Sequence, residues 1–104
     1  MKYERYQSSL TDAKILIVED EVIIAMALED SLLDFGYGVA GRATTGQRAV
    51  ELAMETEPDL ALIDIRLNGD MDGVEAAEKI SRRLKIPVIF LTAYSDEETL
   101  SRAI

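Results

Sequence analysis

The sequence predicts an α/β fold built on a doubly wound parallel sheet, and three observations carry that expectation. Short, unbroken apolar runs recur at Ile15 to Val18, Leu60 to Ile63 and Val88 to Leu91. Runs of this length without polar alternation suit strands buried on both faces. Between them lie segments with apolar residues at helical spacing and short connections, the alternation that right-handed crossovers require. Finally, the runs stop abruptly on polar groups: Glu19 and Asp20 after the first, Asp64 after Ile63, Thr92 after Leu91.

Composition limits what such a domain can do. With 104 residues and 48% hydrophobic content, the chain suits one globular domain with a modest core. Residues 1–12 have mixed polarity and read as an N-terminal lead-in, with the domain proper at 13–104. Eleven Lys and Arg against twenty Asp and Glu give a net charge of −9, which disfavours direct contact with nucleic acid or an anionic membrane. The chain has no cysteine and no histidine, so thiol chemistry, disulfides, histidine acid-base catalysis and the common zinc ligand sets are excluded. No apolar run approaches membrane-spanning length and no leader-like segment opens the chain, so a cytoplasmic, soluble protein is expected.

The elements follow in order. After the first strand, Val22, Ile24, Ala25, Leu28, Leu32, Leu33 and Phe35 keep close to helical spacing until Gly36. Seven apolar residues in succession, Val22 to Leu28, exceed what one buried face requires, so some of Val22, Ile23 and Met26 are expected at the surface. Tyr37 to Ala43 is a weaker strand. Thr44 and Gln47 have capping-box spacing before a helix that ends ahead of Pro58. The strand Asp59 to Asp64 repeats the opening theme. A loop, Arg66 to Gly73, then enters a third helix in which Asp72 and Glu75 again have capping-box spacing and Val74, Ala77, Ile80 and Leu84 form a stripe. Pro87 to Leu91 is the fourth strand, and Ser95 opens a further helical pattern that runs to Ile104.

Parallel strands bring Glu19, Asp20, Asp64 and Thr92 to one edge of the sheet, where open α/β folds bind ligands. One acid there means little, because acids often follow buried strands as the chain leaves the core. Several carboxylates gathered together repel, and a bound cation or raised pKa values must relieve the repulsion. A hard divalent ion such as Mg²⁺ suits an all-oxygen set completed by waters and phosphate oxygens. A carboxylate beside such an ion can attack phosphorus to give an acyl phosphate.

These residues carry a resemblance. Ile-Leu-Ile-Val-Glu-Asp-Glu at 15–21, Pro-Asp-Leu-Ala-Leu-Ile-Asp at 58–64, Met-Asp-Gly-Val-Glu-Ala-Ala at 71–77 and Ile-Pro-Val-Ile-Phe-Leu-Thr-Ala at 86–93 resemble the receiver domain of two-component response regulators. The resemblance implies a flavodoxin-like receiver fold, with Asp64 as phosphoacceptor, Glu19, Asp20 and Asp64 holding Mg²⁺ together with the Arg66 backbone carbonyl, and Thr92 as the switch hydroxyl. It implies a histidine kinase or phosphotransfer protein as partner, and at most a self-catalysed transfer to Asp64 and its hydrolysis rather than conventional enzymic turnover. A truncated, receiver-like module that associates without phosphorylation is the alternative. A flavin binder on this architecture would want a phosphate loop where Glu19 to Glu21 stand, and a haloacid-dehalogenase-type phosphatase would want an acid where Arg66 stands.

Two departures qualify the resemblance. Asn68-Gly69 replaces the proline common after the phosphoacceptor, a change of turn chemistry. The family's fifth strand, ending in Lys-Pro, and its fifth helix have no counterpart before Ile104, so the fold is expected to lack both. None of Lys2, Lys14, Lys79 or Lys85 follows Thr92, and no residue carries over to the phosphate-binding lysine. With the fourth strand then at an edge, a homo-oligomer, most simply a dimer, is expected.

Overall fold

In the computed structural model the structure describes residues 12–91. Most of the lead-in, Thr92 and the helical pattern from Ser95 lie outside the described residues. Seven elements alternate without exception: β1 (Lys14–Val18), α1 (Val22–Asp34), β2 (Gly38–Ala43), α2 (Gly46–Thr56), β3 (Leu60–Asp64), α3 (Gly73–Leu84) and β4 (Val88–Leu91). The four strands form one parallel sheet in the order β2-β1-β3-β4. The step from β1 to β2 and the step back to β3 run in opposite directions. Right-handed crossovers therefore put α1 on one face of the sheet and α2 with α3 on the other.

Burial explains why β1 and β3 are central. Ile15 to Val18 and Ala61 to Ile63 are buried along their whole length, and alternation sends their side chains to both faces. On the α2–α3 face, Leu16, Val18, Ala61 and Ile63 pack with Ala43, Ala49, Ala53, Ala77 and Ile80. The alanines let both helices approach the sheet closely. On the other face α1 contributes Ala25 as its buried residue, with Leu28 and Leu32 half-buried on the same stripe. Val22, Ile23 and Met26 are exposed, as expected from the over-long apolar run, and Leu33 and Phe35 join them.

One local reading needs adjustment. The cap of α2 is Thr45, not Thr44: its hydroxyl accepts the Arg48 N–H at 3.1 Å. Either threonine suits an N-cap by chemistry, and the path leaving β2 selects the second. Asp72 caps α3 as its spacing indicated, accepting the Glu75 N–H at 2.9 Å. Among the described residues, no helix is long and apolar enough to cross a membrane.

Candidate functional site

The sheet brings the acids together. Val18 pairs with Ile63, and Asp64 pairs with Leu91, so the residues following β1 and closing β3 emerge side by side at the carboxyl edge. One carboxylate oxygen from each of Glu19, Asp20 and Asp64 lies within 4.8 Å of the others. Glu19 is buried, only 4% exposed, while Asp20 and Asp64 are half-buried.

Main-chain donors orient all three. Glu19 donates its own N–H to the Ala43 carbonyl at 3.0 Å, which carries the strand direction of β1 one residue further. Its Oε1 accepts the Glu21 N–H at 3.3 Å. Asp64 Oδ1 accepts the Arg66 N–H at 3.0 Å, an Asx-type turn, and Asp20 Oδ2 accepts the Asn68 N–H at 3.3 Å. The β3–α3 loop is thus tied to two of the three acids by peptide groups.

Such an arrangement is electrostatically costly. Burial, a hydrogen bond to Asp64 and the charge of Asp64 push the Glu19 carboxyl up to about 7, against a slight opposing pull from the Glu21 N–H. Carboxylate oxygens gathered this closely are also available to a hard cation. The donor set, all carboxylate oxygen and partly open, fits Mg²⁺ or Mn²⁺ by its chemistry.

Of the residues named from sequence, Glu19, Asp20 and Asp64 are brought together. The Arg66 side chain is exposed and its N–H serves Asp64. Thr92 lies outside the described residues. Sequence reasoning missed Gly73: a Cβ there would run into the Asp64 carbonyl and crowd the Ile65 Cα, so the chain can pass this close to the phosphoacceptor candidate only with glycine. Its N–H also donates to the Ile65 carbonyl at 3.2 Å. The Asx turn at Asp64 had a signal, an aspartate entering a loop; the approach of Gly73 had none.

A four-stranded parallel sheet in the order β2-β1-β3-β4 with three carboxylates converging at its carboxyl edge is a receiver-type α/β architecture. The comparisons agree: residues 15–104 match the response regulator receiver domain family, and the chain belongs to that family. It is 40% identical over 90 residues to the transcriptional regulatory protein PdtaR of Mycobacterium tuberculosis, covering 86% of this chain and 43% of the relative. The chain therefore spans less than half the length of that relative. Among solved structures, the receiver domain of a modulated diguanylate cyclase from Desulfovibrio desulfuricans G20 superposes with a TM-score of 0.84 at 42% identity, over 88% of this chain and 72% of that one. PhyR from Bartonella quintana, an anti-anti-sigma factor crystallised with the anti-sigma factor NepR, superposes with a TM-score of 0.77 at 34% identity, over 90% and 38% respectively.

Proposed function

We propose that this receiver domain accepts a phosphoryl group on Asp64 from the phosphohistidine of a histidine kinase or phosphotransfer protein. The observation that carries the proposal is the convergence of Glu19, Asp20 and Asp64 within 4.8 Å at the sheet edge. A carboxylate oxygen of Asp64 forms the new bond to phosphorus as the histidine nitrogen leaves. The Asx turn from the Arg66 N–H fixes the carboxylate plane and so the line of attack. Glu19, Asp20, Asp64 and the Arg66 backbone carbonyl would hold Mg²⁺, which when bound supplies neutralisation of the charge gathered on the acids and the phosphoryl oxygens. Thr92 would turn its hydroxyl toward the phosphoryl group.

The test is intact mass after treatment with acetyl phosphate and Mg²⁺. A phosphoryl adduct in the wild type and in Asp72→Asn, absent from Asp64→Asn, is the expected result. An adduct that survives Asp64→Asn overturns the assignment.

A second reading, association with a protein partner without phosphorylation, is favoured by the exposed apolar residues of α1. The PhyR complex with an anti-sigma factor supports a partner of that general kind. If the domain takes no phosphoryl group under any donor yet retains a partner, this second reading stands in place of the first.

A further inference from the structure

The β3–α3 loop contains two pairs in which glycine follows a side chain able to cyclise onto the glycine nitrogen, Asn68–Gly69 and Asp72–Gly73. The fold treats them differently. Gly73 is buried, its N–H is held by the Ile65 carbonyl at 3.2 Å, and the Asp72 carboxylate is engaged as a helix cap at 2.9 Å from the Glu75 nitrogen. None of these restraints acts on the first pair. Asn68 and Gly69 are both exposed, and nothing stands within 4 Å of where a Gly69 Cβ would be. Gly69 has φ +106°, a conformation few other residues adopt, and among the described residues no hydrogen bond holds its N–H. Asn68 is tethered by its own N–H to Asp20 Oδ2 at 3.3 Å, which leaves its side-chain amide and the next peptide nitrogen free to meet.

We propose that Asn68 is a site of spontaneous deamidation in the folded protein. The Gly69 nitrogen attacks Asn68 Cγ and forms the N–Cγ bond of a five-membered succinimide. The Cγ–Nδ2 bond breaks, and the Gly69 amide proton departs with that nitrogen as ammonia. Water then opens the ring at either carbonyl, giving aspartate or isoaspartate. The only co-reactant is water. The product places a new carboxylate on the residue whose N–H holds Asp20, and takes the formal net charge one unit below −9. In the isoaspartyl form the main chain gains one carbon just ahead of Gly69, between the acid cluster and the α3 cap. The proposal stands whether or not Asp64 is phosphorylated.

Asn68 is the one asparagine in the chain, so intact mass reports its conversion against a clean background. The 104-residue protein is incubated at mildly alkaline pH, folded and in denaturant, and peptide fragmentation locates isoaspartate; Gly69→Ala is treated alike. In the folded protein, conversion at Asn68 with isoaspartate among the products is expected at a rate close to that in denaturant. Asp72 should isomerise only in denaturant, and Gly69→Ala should lose most of the conversion. An Asn68 that reacts in denaturant but stays intact in the folded chain overturns the proposal. So does a Gly69→Ala protein that converts as fast as wild type, or isomerisation at Asp72 in the folded chain.

Discussion

At Glu19 the demands of folding and of the site oppose each other. Burial and the neighbouring Asp64 carry its pKa from 4.5 in an open chain to about 7 in the fold, so the folded state holds the proton across an interval where the unfolded state has released it. This group's contribution is therefore fully present below about pH 4.5 and is lost as pH rises through about 7. The metal-free protein should show a urea midpoint that falls over that interval, and saturating Mg²⁺ or Mn²⁺, which binds the deprotonated form, should flatten the fall. Glu19→Gln should also flatten it, by removing one of two charges that at about 5 Å repel by roughly 3 kcal/mol near a protein surface. Urea titrations of wild type and Glu19→Gln at matched pH values check this; parallel curves for the two proteins would contradict the assignment. At the same scale, Asp20→Asn should weaken cation affinity measured by calorimetry, and an unchanged affinity would remove Asp20 from the metal set.

The elements explain how the acids are held, and how much of that was legible beforehand. β1 and β3 announced themselves as unbroken apolar runs because both faces are covered, and the Asp72 cap was visible because Asp and Glu at that spacing have few other uses at a helix start. The cap of α2 slipped by one residue because two adjacent threonines offer the same hydroxyl. The acids were legible as a group from their strand ends. Which one is buried was not, since that depends on where β1 stops pairing. Nor was the Asn68 N–H contact to Asp20 legible, because it follows from the loop's path. The loop's closeness predicts two separable effects. Gly73→Ala forces a methyl against the Asp64 carbonyl and should lose about 2–3 kcal/mol of stability together with cation affinity. Asp72→Ala removes the cap and should cost about 1 kcal/mol while sparing phosphorylation at Asp64. Thermal unfolding paired with acetyl phosphate labelling separates the two; a Gly73→Ala protein of wild-type stability would show that the loop can move aside.

For the whole molecule, the two faces of the sheet are unequally served. The α2–α3 face is closed by alanines and Ile80, whereas α1 meets the other face with Ala25, Leu28 and Leu32 and turns Val22, Met26 and Leu33 along one flank of the helix. Ile23 is 83% exposed and Phe35 65%. Scattered apolar residues at a surface are ordinary, but Val22, Ile23 and Met26 are exposed together in the first turns of α1, and contiguous apolar patches mark surfaces that associate. Covering ~400 Å² of it would yield roughly 10 kcal/mol at ~25 cal/mol per Å². Association itself costs about 4–15 kcal/mol, so the balance favours a weak complex, with a dissociation constant in the micromolar range or above. We therefore propose that chains of these 104 residues self-associate reversibly through α1. Sedimentation across a concentration series should show a mass that rises with concentration in wild type. Ile23→Glu and Met26→Glu, both at solvent-facing positions, should restore a monomer without loss of thermal stability. A wild-type chain that stays monomeric at roughly a hundred micromolar would show that the α1 face does not bind a second copy.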